Sequence, residues 1–323
     1  MQTYATSKLL EKNGHDVTVI NIIHPKEKRF YRRFRSLYYL CIDFQFYCFK
    51  HRFFPKLTSK MYGLVSAKLP SSDYIVIGSD QVWNRSITCP MDMAYYVDFD
   101  EKVKKVSLAS SFGKSDWNED AEYTRVVKKC LDNFNAISVR ERSGKEILSD
   151  VFGMESTVLI DPTLAYADFE GLVLDKRKKK QIFTFLFGGN KQDTKDIVKA
   201  ISNDLDLPVF RHSKLSYYLN NGPRKWLTNI RNSSYVITDS FHGLAFCLIF
   251  KKEFFVLCAD EKKFTRLKSL LDLLGLQNRY IESLDDYQQR KLMLLESIDY
   301  SSVNSILQNE QNKYNHFIQQ YII

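Results

Sequence analysis

Short apolar runs bounded by polar residues alternate with stretches of helical period along most of the chain. This pattern predicts an α/β protein built on buried parallel strands. The first helix is predicted over Tyr4–Lys12, with Ala5 and Leu9 inward, and Asn13-Gly14 stops it. Val17–Ile22 follows as a strand. The chain therefore opens on helix and strand, half of a βαβ unit, and the strand that should precede the helix is missing. Residues 26–70 read as a basic, helical region. Further strands are predicted at Tyr74–Ile77, Lys105–Gly113, Ala136–Arg142 and Val158–Leu164. Helices are predicted over Asn118–Leu131, with Val126, Val127, Cys130 and Leu131 inward, and from Ser143 to Leu148.

A second strand–helix series follows a charged stretch. Its strands are predicted at Gln181–Phe187, Pro208–Phe210, Tyr235–Ile237 and Glu253–Cys258. Its helices are predicted at Thr194–Asn203, Pro223–Asn229, Leu244–Phe250 and Thr265–Leu274, the last stopped by Gly275. Residues 284–323 read as helical throughout. Two such series predict two Rossmann-like domains facing one another across a cleft. The N-terminal domain spans 1–168, a linker 169–180 and the C-terminal domain 181–285, with helices over 286–323 packing back on the first domain.

In an open α/β sheet, ligands bind beyond the carboxyl ends of the strands. Three strand exits carry chemistry. Thr238-Asp-Ser-Phe-His-Gly243 joins a strand to a buried helix, so its free N–H groups and dipole suit a phosphate or carboxylate, beside the imidazole of His242 and the carboxylate of Asp239. The plain alternative is a capped helix start with a surface histidine. Gly78-Ser-Asp-Gln-Val-Trp-Asn84 offers close backbone approach at Gly78, side-chain hydrogen bonds from Ser79, Asp80, Gln81 and Asn84, and the flat face of Trp83. That combination suits a sugar, and its alternative is a turn over a buried Trp. Arg140 ends a third strand, where its fork can grip an anion or pair with the adjacent Glu141. The strand at Gln181–Phe187 exits at Gly188-Gly189.

Composition narrows these readings. With 323 residues, 44% hydrophobic and 26% charged, the chain has room for two globular domains, and 12 Gly and 7 Pro argue against disorder. Six scattered Cys without a Cys-x-x-Cys pair read as buried free thiols in a reducing compartment, and the six dispersed His give a metal site little support. No signal-peptide pattern opens the sequence, and Leu37–Phe54 is broken by charges, so a cytoplasmic location is expected. The net charge of +9 gathers early, in Lys26, Lys28, Arg29, Arg32, Arg33, Arg35, Lys50, Arg52, Lys56 and Lys60, interleaved with aromatics. Three readings compete for that segment: contact with an anionic membrane surface, nucleic-acid binding, or a helical lid with a solvated face. No nucleic-acid motif accompanies it.

Gly78–Asn84, Ala109-Ser-Ser-Phe-Gly113, Ser138-Val-Arg-Glu141, Asp161-Pro-Thr-Leu164 and Thr238–Gly243 occur in one order. Together with Gln2-Thr-Tyr-Ala5, Gly222-Pro-x-x-Trp-Leu227 and Arg266, they resemble the polysaccharide pyruvyl transferase family over nearly the whole chain. The resemblance implies a GT-B-like fold and transfer of pyruvate from phosphoenolpyruvate to a sugar or lipid-linked sugar of a cell-surface or capsular polysaccharide precursor, forming a ketal and releasing phosphate. It implies no metal and no cofactor. It casts His242 as general acid or base with Asp239 to orient it. Arg140, Ser240, Gly243, Arg266, Gly188 and Gly189 would bind the donor, and the Gly78–Asn84 turn the acceptor. Where better-studied branches read Arg-Leu-His, this chain reads Ser240-Phe241-His242. Relatives also carry a strand and a Gly-containing loop before the position of Met1. Two other classes stay open: a GT-B-like glycosyltransferase using a nucleotide sugar, and a truncated, non-catalytic sugar-binding homologue.

Overall fold

The computed structural model describes residues 1–22, 36–61, 69–98, 103–187, 191–211, 222–257 and 261–323, the side chains of 36–43 and 261–265 excepted. The chain divides into two compact units. One comprises Met1–Ser36, Cys48–Tyr166 and Asn309–Ile323; the other comprises Leu37–Tyr47 and Ala167–Gln308. Every strand pairing given for them is parallel.

In the first unit, β1 (Thr18–Val19) pairs with β2 (Lys56–Leu57), and a separate sheet runs in the order β3 (Tyr74–Ile77), β4 (Lys104–Ser110), β5 (Ala136–Val139), β6 (Thr157–Val158). After Lys104, every residue of β4 is buried, because apolar and small side chains alternate without charge except at Lys105, whose ammonium donates to the Val97 carbonyl at 2.9 Å. Helices Ala121–Leu131 and Arg142–Phe152 supply Val127, Leu131, Ile147, Leu148 and Phe152 to the core beside Ile137 and Val139. Val126, expected inward, is 40% exposed; Tyr123 takes the inward place one turn earlier. Of the strand expected at Val158–Leu164 only Val158 lies in the observed one, Thr157–Val158. Asp161 ends it, accepting from the Thr163 N–H and hydroxyl, and Pro162 starts the helix Pro162–Tyr166.

The second unit holds five strands in the order β11 (Tyr280–Ile281), β10 (Glu253–Leu257), β9 (Ser233–Thr238), β7 (Lys179–Phe185), β8 (Val209–Arg211). Lys179 and Lys180, read as linker, begin β7. The short β2 and β11 lack an apolar run long enough to signal a strand. The chain moves from β7 outward to β8, then returns to lay β9 on the other side of β7. Loops leaving β7 and β9 therefore diverge, and the crevice between them is a topological switch point.

Six of the ten early basic residues, Lys26 to Arg35, and the Gly188-Gly189 exit lie outside the described residues. Cys48 and Cys89 are exposed free thiols rather than the buried ones expected; Cys247 is buried, and burial pushes its pKa far up. Among the described residues, no helix is long and apolar enough to cross a membrane.

Candidate functional site

The switch point of the second unit is built by hydrogen bonds between the two diverging exits. The Thr238 hydroxyl donates to the Phe185 carbonyl at 2.8 Å, and the Phe187 N–H donates to Asp239 Oδ1 at 2.8 Å. The Thr238 oxygen also accepts from the Ser240 N–H at 3.1 Å. The next helix begins at Phe241, three residues before the sequence places it, because Ser240 is its N-cap: its hydroxyl accepts from the Gly243 N–H at 3.4 Å. His242 thus sits in the first helical turn, half-buried, with the Phe241 ring set edge-on at 5.6 Å. Asp239 is half-buried and holds the β7 exit loop against the turn. Beneath lie Phe185, Trp226 and Phe246, with ring centroids 5.2 Å apart for both Trp226 pairs. Arg266 is half-buried in the helix Glu261–Leu273, which follows β10.

Gly243 is fixed by a close approach. A Cβ there would stand 2.2 Å from the Thr238 hydroxyl oxygen and 3.0 Å from its Cβ. Gly243→Ala is therefore expected to cost about 1–3 kcal/mol by overpacking. In a Thr238→Ala background the added cost should fall by at least ~0.5 kcal/mol, the non-additivity of residues in contact. Urea unfolding of the two single variants and the double variant measures this; strict additivity would show that the contact is not the cause.

In the first unit the strand exits converge on a buried carboxylate that sequence reading does not single out. Asp161 Oδ2 accepts from Arg140 Nη1 at 2.9 Å, Gln2 Nε2 at 2.9 Å and the Ser79 hydroxyl at 3.2 Å. Arg140 Nε lies 3.6 Å from Glu141 Oε2, and Ser111 donates to Glu141 Oε1 at 2.6 Å. Burial disfavours the guanidinium charge, yet Asp161 and Glu141 outweigh it and hold the Arg140 pKa above the usual arginine value. Of the two sequence readings for Arg140, the ion pair with Glu141 is formed, and Asp161 joins it. The signal lay in Gln2 and Asp161 opening two of the recurring motifs, without a spacing to connect them.

The Gly78–Asn84 turn divides by exposure. The Trp83 ring is buried, stacked on Tyr96 at 5.7 Å, and its indole N–H donates to the Tyr95 carbonyl at 3.0 Å. This is the buried-Trp alternative. Asn84 is buried and donates to Gln81 Oε1 at 2.9 Å. The Gln81 side chain lies over Gly113, whose φ is +65°; a Cβ on Gly113 would stand 2.0 Å from Gln81 Oε1. Asp80 alone of the turn is exposed, and its φ of 125° is one that non-glycine residues rarely adopt. Its backbone is held there by a bridge to Ser110 and by the Ser111 N–H bonding its carbonyl at 3.0 Å. Its carboxylate caps the Gln81 N–H at 2.8 Å. A non-glycine residue keeps such a backbone only where the surrounding structure over-determines it.

Residues 1–257 match the family model described as polysaccharide pyruvyl transferase. The chain belongs to the polysaccharide pyruvyl transferase family. The match to this transferase family takes in the Asp161 hub, the Asp80 turn and the Thr238–Gly243 turn; Arg266 lies beyond it. No curated protein matches the sequence. Among solved structures, the wall teichoic acid polymerase TagF is 12% identical with a TM-score of 0.38, covering 98% of this chain and 80% of that one. A second TagF structure, of a variant soaked with CDPG, is 13% identical with a TM-score of 0.40, covering 99% and 79%.

Proposed function

We propose that this pyruvyl transferase family member transfers pyruvate from phosphoenolpyruvate to two hydroxyls of a glycan precursor. The observation that carries the reading is the family match combined with a capped helix start at a switch point, where His242 stands in the first turn. Phosphoenolpyruvate is a dianionic phosphate ester with a carboxylate. Helix N–H groups at the Ser240 cap, aided by Arg266, suit those anions. A proton delivered to the methylene carbon converts it to methyl and leaves an oxocarbenium-like centre at the neighbouring carbon. One sugar hydroxyl adds there and loses its proton; the second adds as the C–O bond to phosphate breaks, and its proton leaves with the phosphate. Each of the two hydroxyl protons is thus accounted for, one on the methyl and one on the leaving group. His242 is assigned the proton transfer.

Asp239 holds the β7 exit against this turn and so positions the donor loop. In the first unit, Asp80 is assigned to the acceptor hydroxyls, because it is the exposed carboxylate of its turn and is kept in a strained backbone. Ser79 and Arg140 support it from the Asp161 hub rather than touching substrate.

The test is phosphate release from phosphoenolpyruvate in the presence of nucleotide-linked or lipid-linked sugars, with mass spectrometry of the acceptor. The expected product is heavier by a pyruvate ketal. Asp80→Gly, which relaxes the backbone and removes the carboxylate, should raise the acceptor KM. Glycosyl transfer from a nucleotide sugar, with no phosphate release from phosphoenolpyruvate, would replace this reading.

A further inference from the structure

Over residues 44–53, the helix Ser36–Phe53 carries aromatics on both sides. Phe49 is buried and Phe53 half-buried, with ring centroids 5.0 Å apart, and Phe49 packs edge-on against Tyr4 at 6.3 Å. Phe44, Tyr47, Cys48 and His51 recur at i, i+3, i+4 and i+7, the spacing of one helix face. Every one of them is exposed. Phe44 is 65% exposed and Tyr47 48%, and Phe46 on the flank is 45% exposed. A helix face that meets only water carries polar residues at these positions, and three exposed aromatics within four residues form a patch rather than a scatter. Arg52 follows at the edge of this face, also exposed, with its guanidinium 5.5 Å from the Phe53 ring.

Charge is concentrated in the same part of the chain. Residues 24–60 hold ten Lys and Arg against Glu27 and Asp43 alone, a net +8 out of the +9 of all 323 residues. Lys56 is paired with Asp16 at 2.6 Å, while Arg52 and Lys60 are exposed. We propose that the Phe44–His51 face lies on an anionic lipid surface. Phe44 and Tyr47 would sit at the boundary of headgroups and acyl chains, and the basic residues would meet the lipid phosphates. Among the described residues no helix is long and apolar enough to cross a membrane, so the contact is interfacial. Two other occupants fit this face less well. A second copy of the chain would set one +8 segment against another. A nucleic-acid duplex would meet the exposed rings with its charged phosphate edge and leave their apolar area in water. A membrane interface takes both parts, burying the rings below the headgroups while the cations stay level with the phosphates. Such contact requires nothing of the reaction proposed above.

Co-sedimentation of the full chain with vesicles tests this, using one set of phosphatidylglycerol and phosphatidylcholine in equal parts and one of phosphatidylcholine alone. The expected result is binding to the anionic set at low salt, weakened by added salt, and roughly tenfold or more weaker binding to the neutral set. Phe44→Ser combined with Tyr47→Ser should lower partitioning to anionic vesicles by roughly tenfold or more, the loss of buried aromatic area. Its thermal midpoint should not move, because both side chains are exposed. Phe44→Trp keeps the anchor; it should bind as the unaltered chain does, and its added emission should shift to the blue with anionic vesicles only. A Ser variant that binds like the unaltered chain would overturn the proposal, since the basic residues alone would then make the contact. So would equal binding to neutral vesicles, or binding to neither set. Self-association, or binding of an RNA oligonucleotide, that needs Phe44 and Tyr47 while vesicles are not bound would assign the face to that occupant instead.

Discussion

Replacing His242 with Ala is expected to lower phosphate release from phosphoenolpyruvate by roughly 10²–10⁴-fold, the range for loss of a positioned acid–base group. Stability should change little, because His242 is half-buried in the first turn of a helix whose cap is made by Ser240 rather than by its own side chain. A residue that moves a proton in the transition state should lose kcat and kcat/KM together. His242→Gln keeps hydrogen-bonding capacity without the basicity, and should be as impaired as Ala. Steady-state phosphate release with each variant decides the matter. A Gln variant close to wild type would show that His242 serves only to bind the donor.

Arg140→Ala is expected to have the largest effect on stability, about 3–5 kcal/mol, the cost of leaving a buried carboxylate without its partner. The Asp161 side chain is fully buried, and removing the guanidinium strips it of a 2.9 Å charge-assisted bond while Glu141 loses its neighbour. Pairing Arg140→Ala with Asp161→Asn should recover part of the loss, since the stranded charge is then gone. Denaturant midpoints across this cycle provide the check. A loss below ~1 kcal/mol for the single variant would show that the hub is better solvated than its burial implies.

The central strands were legible because they are buried on both faces and carry few interruptions. Tyr74–Ile77 was read to the residue, and β7, β9 and β10 to within a few. The carboxyl-end rule then points to the turns that leave these strands, since exits follow from strands. What stayed hidden depends on groups far apart in the chain. Asp161 meets Gln2 across 159 positions and Arg140 across 21, and no local period encodes either meeting. Trp83 shows the converse limit. An aromatic in a polar turn has the same local sequence whether it offers its face to a sugar or, as here, to Tyr96. The true helix start at Phe241 was missed because Phe-His-Gly reads as loop until the Ser240 cap is recognised.

The last turns of the helix Tyr300–Tyr321 bear on how the first unit is made. Tyr314, Phe317 and Ile318 are buried; Gln311 donates to the Leu164 carbonyl at 2.9 Å, and Gln319 to Asn13 Oδ1 at 3.2 Å. The first unit thus recruits Asn309–Ile323, which follow the whole second unit in the chain. The earlier part of that unit is synthesised first yet waits for these buried residues through the translation of the whole second unit. Contacts of such sequence separation slow folding and leave apolar surface open in the interim. A nascent chain of this protein is therefore a natural client for holding chaperones, and a chain cut before Asn309 would keep the second unit whole and leave the first one unfinished.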